Sequence, residues 1–377
     1  MDFELSDEQK LLKDTVERLL ADEYDFESRK RLAQEPEGFS RKLWEQYAEL
    51  GLLALPFDEK YGGIGGTAVD TMIVMEAFGH ALVLEPYLAT IVLCGSLLRL
   101  GATEQCRATL LPKIAAGELL MAFAHSEPQA RYDLADVATT ARKDGGGYII
   151  DGAKTLVLHG DSADKLIVSA RTAGQRRDQP GISLFLVDAG ASGVSRRGYA
   201  TIDGQRAAEI TLTNVRAGPD ALIGEPGSTL PLIERVVDIA IAAQCAETVG
   251  AIAAMQEMTV DYLKTRKQFG MPIGSFQVLQ HRAADMLIAL EQARSMAMLA
   301  AITAEDENPA ERRRAISAAK VQICNSGRLI GQQATQLHGG IGMTMEYKVG
   351  HYFKRVTAIA ATFGDAAYHL DLLAHAA

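Results

Sequence analysis

RKQFGMPIGSFQ, residues 266–277, lies between two long helical patterns in the C-terminal part of the chain. Gly270 and Gly274 interrupt the helical period and predict a turn whose backbone donors can approach a ligand closely. The guanidinium of Arg266 suits forked, charge-assisted hydrogen bonds to a phosphate group. Alternatively, Arg266 caps the C-terminus of the first helix, where a cation is favoured. The segment therefore predicts a turn between two long helices, at which Arg266 either meets a ligand or caps a helix end.

The sequence on both sides of this turn predicts a bundle of long, alanine-rich helices. Amphipathic patterns with short connections extend over the ranges 229–266, 275–304, 309–338 and 344–374. The first 120 residues are also helical in period, beginning with a predicted N-cap at Ser6.

From about residue 122 the period changes to that of strands. Short apolar or alternating runs, separated by Gly, Asp or Asn, predict a small antiparallel barrel or sandwich. These runs are 147–150, 154–158, 165–170, 182–187 and 208–212. Together, the patterns predict an α+β fold, mostly α, with three domains: an N-terminal helical domain (1–120), a central β-barrel (121–224) and a C-terminal four-helix bundle (225–377).

Composition argues against several classes of protein. The net charge is −10 with scattered Arg and Lys, so we expect no nucleic-acid partner. We see no stretch near the ~20 apolar residues of a membrane span and no secretory signal, so we expect no membrane association and a cytoplasmic location. The four cysteines lie far apart without metal-ligand spacing, which predicts free thiols and no metal site.

A second motif, QLHGGIG at residues 336–342, joins the first in a resemblance to the acyl-CoA dehydrogenase family over essentially the whole chain. Residues 266–277 resemble the family's R-x-x-F-G-x-x-I-x-x-x-Q signature, and residues 336–342 resemble its Q-x-x-G-G-x-G. The resemblance implies an FAD cofactor, with the pyrophosphate at Arg266 and the adenine end at the second motif, across a subunit interface. The FAD-binding residues implied by these two motifs are Arg266, Phe269, Gln277, Gln336, Gly339 and Gly340.

Weaker similarities fall in the predicted barrel. FAHSEP (123–128) stands at the family's T-E-P loop over the flavin, and KTLVLHG (154–160) at its K-x-W-I-T-N-G. Ser126 and Leu158 are the implied flavin-side residues. The family's Trp and Thr are replaced by Leu156 and Leu158, which predicts weaker or differently posed flavin binding by this chain's own barrel.

The family's catalytic carboxylate is missing from both of its usual positions. In TFGD (362–365), Phe363 occupies the place of the Glu, and Ala240 occupies the second place, on the long helix. Glu247 is the remaining candidate base, since its uncharged helical surroundings would raise its pKa. The alternative is a structural Glu247 paired with an Arg of a neighbouring helix.

The resemblance implies α,β-dehydrogenation of an acyl-CoA thioester. The absent base makes the chain similar to the smaller chain of two-chain members that act on dicarboxylyl- (pimeloyl-) or steroid-side-chain-CoA. It would then form a heterotetramer with a larger homologous chain and share its FAD. Two alternatives remain: a self-sufficient homo-oligomeric enzyme with a relocated base, and a non-catalytic acyl-CoA-binding or scaffold protein.

Overall fold

The computed structural model describes residues 5–375 and confirms a mixed fold dominated by helices. In this part of the chain the first helices are α1 (Asp7–Glu23), α2 (Phe26–Leu32), α3 (Arg41–Glu49), α4 (Ala68–Ala81), α5 (Ser96–Gly101) and α6 (Glu104–Ala115). A π-helical segment, Leu88–Gly95, leads into α5. After the sheet come α7 (Leu230–Thr265), α8 (Gln277–Thr303), α9 (Pro309–His338), α10 (Lys348–Ala361) and α11 (Ala366–His375).

The main sheet is mixed, whereas the sequence predicted an antiparallel one. Its order is β6-β7-β3-β2-β4-β5-β8, and β1 pairs in parallel with β4. The strands are β1 (Met121–Ala124), β2 (Thr140–Asp144), β3 (Gly147–Leu158), β4 (Lys165–Arg171), β5 (Ile182–Asp188), β6 (Val194–Ala200), β7 (Arg206–Ala217) and β8 (Leu222–Ile223). The runs 147–150 and 154–158, predicted separately, form the single strand β3, because the interruption between them is a register shift against β7 rather than a turn.

Contacts along the chain group it into two compact units. One unit, which we call the bundle unit, contains residues 5–30, Ala68–Val83 and residues 241–375. The other, the sheet unit, contains Arg31–Thr67 and Leu84–Ala240. The three-domain division by sequence position remains a prediction, since α1 and α4 group with the C-terminal helices here.

Two glycines bring α4 and α7 unusually close inside the bundle unit. A Cβ added to Gly79 would lie 1.8 Å from the carbonyl oxygen of Glu247, and one added to Gly250 would lie 1.8 Å from that of Glu76. No larger residue fits at either position without moving a helix backbone. This crossing fixes the part of α7 that carries Glu247.

The fourth helix of the predicted bundle is broken. The sequence predicted one helix over 344–374, but α10 ends at Ala361 and α11 begins at Ala366. Phe363 and Gly364 between them have φ values of 57° and 111°, outside the right-handed helical region. The break creates the loop at which the resemblance places the catalytic carboxylate.

Within residues 5–375, two helices are long and apolar enough to cross a membrane by length and composition, so the sequence expectation of no such segment was wrong on that measure. The most apolar window of α7 is entirely buried within the protein, as in a core helix. The corresponding window of α8 is only 39% buried. An outward apolar face on α8 is therefore a surface feature of the isolated chain.

Candidate active site

A buried ion pair supports the FAHSEP loop of the sheet unit. Lys154 on β3 donates to Glu127 Oε1 at 2.7 Å, Ser169 Oγ at 3.0 Å and the His125 carbonyl at 3.2 Å. Burial lowers the pKa of Lys154 to about 8, against the opposing charge of Glu127. Burial alone would raise the pKa of Glu127, but Lys154 and other donors lower it to about 2. Both groups are charged at neutral pH and hold the loop in place.

The candidate flavin-side residues lie at the end of β3. The Ser126 carbonyl accepts from the Thr155 amide at 2.9 Å, so the FAHSEP loop runs beside the bulge of β3. The Ser126 hydroxyl is half-buried and, within residues 5–375, has no hydrogen-bond partner. Half-buried Leu158 pairs with Ala207. Leu156, at the family's Trp position, has φ 50° and is 43% exposed.

His125 is structural. Its Nδ1 lies 2.9 Å from Ser169 Oγ, and its ring stacks on Phe123 with centroids 5.3 Å apart. Burial, reinforced by the charge of Lys154, lowers its pKa to about 3, so the ring is neutral at pH 7. It therefore belongs to the support of the loop.

Sequence reasoning missed an arginine cluster that fixes the next turn. Asp136 is buried, and the Nε atoms of Arg176 and Arg177 lie 2.8 and 2.9 Å from its carboxylate oxygens. Arg171 donates to the carbonyls of five residues, Ala135, Val137, Arg176, Asp178 and Pro180. The run Arg176-Arg177 was the signal available in the sequence.

In the bundle unit, the RKQFG segment forms a short hairpin of β9 (Lys267–Gln268) and β10 (Met271–Pro272). Phe269 at its tip has φ 54° and is 86% exposed. The Arg266 guanidinium is exposed and makes no hydrogen bond or ion pair with any described residue. This geometry favours a ligand-binding Arg266 over the capping alternative, because a cap would bond the last carbonyls of α7.

The ends of three helices bring the two motifs together. Arg282 near the start of α8 lies 3.4 Å from Gln333 near the end of α9. Tyr262 near the end of α7 packs on His338 at the end of α9, with ring centroids 4.5 Å apart. Arg266, four residues after Tyr262, is therefore at the same end of the bundle as the second motif.

The remaining motif residues at this end present open polar and backbone surface. Gln277, the first residue of α8, and Gln336 on α9 are exposed, and their side chains have no partner among the residues that the structure describes. Gly339 has φ 64°, and a Cβ on Gly339 or Gly340 would meet no heavy atom within 4 Å. A guanidinium, two amides and bare backbone are thus available to a dinucleotide.

Glu247 is held by a neighbouring helix. Its Oε1 accepts from Arg355 Nε at 2.6 Å and its Oε2 from Arg355 Nη2 at 2.8 Å, with both side chains nearly buried. This is the structural alternative considered from the sequence. A carboxylate engaged at both oxygens is a poor proton acceptor, so the geometry does not favour Glu247 as the base.

The TFGD loop is held by several hydrogen bonds, although Phe363 stands where the family has its Glu. The buried Lys320 donates to the carbonyls of Ile359 at 2.6 Å and Thr362 at 2.9 Å. His369 Nε2 lies 3.1 Å from the Phe363 carbonyl. Asp365 accepts from the Tyr368 amide at 2.9 Å and so caps α11. Asp365 therefore serves the helix and does not replace the missing Glu.

Comparison with known proteins shows that the parts of the chain that carry these motifs match models of one protein family. The acyl-CoA dehydrogenase N-terminal, middle and C-terminal domain models match residues 6–118, 122–215 and 233–377. The chain belongs to the acyl-CoA dehydrogenase family. The resemblance seen in the sequence is thereby confirmed, and with it the fold class.

Individual members of the acyl-CoA dehydrogenase family match over nearly the full chain. The probable acyl-CoA dehydrogenase YngJ of Bacillus subtilis is 31% identical over 360 residues, covering 93% of this chain and 92% of YngJ. A solved steroid acyl-CoA dehydrogenase, Tcur3481–Tcur3483, has a TM-score of 0.88 at 28% identity, covering 98% of this chain and 97% of its own. The FAD complex of PigA has a TM-score of 0.91 at 26% identity, covering 100% and 98%.

No group of three or more His, Cys, Asp or Glu residues that could hold a metal ion occurs in residues 5–375. The cysteines are free thiols, and Cys94, Cys245 and Cys324 are buried. Arg266, Gln277 and Gln336, which the two FAD motifs single out, have no partner among the described residues and are available to a ligand. The residues present therefore fit an FAD dinucleotide.

Proposed function

We propose that this chain is the small chain of a two-chain FAD-dependent acyl-CoA dehydrogenase and contributes to an FAD site shared with a larger homologous chain. One contrast carries the proposal. The dinucleotide-binding groups, such as Arg266 and Gln336, are present and have no partner in the part of the chain that the structure describes, whereas Phe363 occupies the position of the base. A chain that keeps cofactor-binding groups and lacks the base is suited to complete a partner's site.

In this role, each motif residue has a physical task. FAD, when bound, supplies the acceptor for the hydride that leaves the β-carbon of the acyl thioester. Arg266 binds the pyrophosphate through charge-assisted hydrogen bonds, and Gln277 and Gln336 donate to the dinucleotide. Gly339 and Gly340 allow its adenine end to lie against the backbone. The partner chain supplies the carboxylate that removes the α-proton.

Assembly with a second chain is supported by the surface of α8. Large apolar side chains that are 36–60% exposed follow this helix: Val278, Leu287, Ile288, Leu299 and Ile302. Exposed apolar area of this kind marks protein–protein interfaces. The similar steroid acyl-CoA dehydrogenase structure is itself named for two chains, Tcur3481 and Tcur3483. We propose a heterotetramer on these grounds.

The homo-oligomeric alternative needs a base inside this chain. Its candidate, Glu247, is held at both oxygens by Arg355, which weakens that alternative. Co-expression separates the possibilities. The two-chain proposal expects a colourless protein alone and a yellow complex, bleached by acyl-CoA, when the longer homologue is present. A yellow homo-oligomer that acyl-CoA bleaches overturns the proposal in favour of a self-sufficient enzyme. No flavin in either preparation favours a non-catalytic protein.

A further inference from the structure

One buried side chain on α7 has no partner. Gln244 is 1% exposed, and its Oε1 has no hydrogen-bond partner among the residues described. Its Nε2 also makes no hydrogen bond within residues 5–375. Gln256, three turns further along α7 and 8% exposed, also has an unpartnered Oε1, but its Nε2 donates to the Ala283 carbonyl at 3.1 Å. Gln244 is therefore a buried amide whose Oε1 acceptor and Nε2 donor both lack a hydrogen-bond partner among the described residues.

The nearest polar groups on α7 are committed elsewhere. The Thr248 hydroxyl donates to the backbone carbonyl of Gln244 at 2.9 Å, so its proton is not available to the side chain. Glu247, three residues on, is bound at both oxygens by Arg355. Ala240 and Ala251, which lie on the same helical face as Gln244, carry no polar side chain. No neighbouring side chain on α7 therefore forms a hydrogen bond with the Gln244 amide.

An unpaired buried amide is costly, and native proteins rarely keep one without a function. The sequence places a large polar group where Leu or Met would pack at no such cost. A ligand that supplies both a donor and an acceptor would recover the loss. A hydroxyl is the simplest group that does both.

We propose that the Gln244 amide recognises a hydroxyl group on the acyl chain of the substrate. The inference rests on the proposed acyl-CoA dehydrogenase function. Gln244 follows Ala240 by four residues, or about 6 Å along the helix axis. Ala240 is the position at which the family resemblance places an alternative base, so Gln244 lies one turn from a site that addresses the reacting carbons. A hydrocarbon chain leaves the amide unpaired, whereas a hydroxylated chain satisfies it.

The test compares matched thioesters on the assembled enzyme by isothermal titration. The ligands are saturated acyl-CoAs and their monohydroxylated analogues of equal length, with the hydroxyl at successive carbons. For the wild type, we expect one analogue to bind at least about tenfold more tightly than its parent. Gln244→Met, which keeps the length of the side chain and removes the amide, loses this preference. Its Tm rises by about 1–3 °C, because the unpaired group is gone.

Gln256→Met is the matched control on the same helix. It removes the hydrogen bond from Nε2 to the Ala283 carbonyl, so we expect a lower Tm and an unchanged preference for the hydroxylated ligand. Equal binding of every hydroxylated and parent thioester by the wild type overturns the inference while leaving the proposed function intact. A preference retained in Gln244→Met overturns it too. Failure of all the thioesters to bind overturns the proposed function and this inference with it.

Discussion

Glu247 and Arg355 form a two-point ion pair between α7 and α10, with Nε and Nη2 of the guanidinium 2.6 and 2.8 Å from the two carboxylate oxygens. Both side chains are nearly buried, at 6% and 11% exposed. Both charges have lost most of their hydration, so removing one partner leaves the other with less compensation for its burial. The ion pair therefore connects α7 to α10, the helix that precedes the TFGD loop.

We therefore expect Glu247→Gln to act on stability more than on turnover. Loss of the charge removes the two-point ionic partner of the nearly buried Arg355 and should lower the free energy of unfolding by about 1.5–3 kcal/mol, measured by urea denaturation. Turnover of the assembled enzyme should stay within about threefold. The control is Glu291→Gln, which breaks an exposed pair with Arg294 and should cost less than about 1 kcal/mol. A drop in turnover of several orders of magnitude at unchanged stability would make Glu247 the base after all.

Arg266→Ala should reduce the FAD content of the assembled oligomer. The exposed guanidinium has no partner in the described chain, so its loss removes charge-assisted bonds to the pyrophosphate and little else. We expect at least about tenfold weaker FAD binding, measured from flavin absorbance after dialysis. Lys267→Ala removes a neighbouring exposed cation and serves as the control. Unchanged flavin content in Arg266→Ala would remove the main cofactor assignment.

Phe363→Glu should restore a base within this chain. The backbone at this position is already set at φ 57°, and the loop is held by Lys320 and His369, so the new carboxylate enters a preformed loop. We expect acyl-CoA to bleach the flavin of an assembly whose partner base has been removed by a Glu→Gln change. Phe363→Gln has a similar shape without the carboxylate and should not do so. Equal bleaching by the two variants, or none with FAD bound, contradicts the prediction.

Stability should fall as the pH drops below about 6.5. Burial lowers the pKa of His369 to about 4 and that of His125 to about 3. Both are therefore neutral in the folded protein while the unfolded chain takes up protons below pH 6.5. Their stabilising contribution is complete above that pH and is lost progressively towards pH 4 and 3, at up to about 1.4 kcal/mol per pH unit for each group. Urea midpoints at pH 7, 6, 5 and 4 measure this slope.

His369→Gln should flatten the slope between pH 6.5 and 4, because one of the histidines whose pKa is lowered by burial, a group that also includes His338 and His351, no longer titrates. The exposed His375 lies on the same helix, and His375→Gln is the control that should leave the slope unchanged. An identical slope in wild type and His369→Gln would show that His369 does not supply the pH dependence.

Local sequence patterns predicted most elements well. The N-cap at Ser6 is confirmed, with a capping box to Gln9, and the long helices α7, α8 and α9 match their predicted ranges within two residues. The mixed pairing of the sheet was missed, because parallel pairing of β1 with β4 joins strands about forty residues apart. The break at Phe363 was missed as a helix end, since the preceding pattern stays amphipathic and only the left-handed backbone reveals the loop.

The sequence by itself determined the family, the order of helices and strands, and the two motifs that present Arg266, Gln277 and Gln336. Those features follow from residue type and spacing along one chain. Only the tertiary structure decided which polar side chains have hydrogen-bond partners within the described chain and which have none. It showed Glu247 bound by Arg355, over one hundred positions later, and Gln244 left without a partner. Hydrogen bonds between distant segments depend on packing, and packing is not encoded in any local pattern.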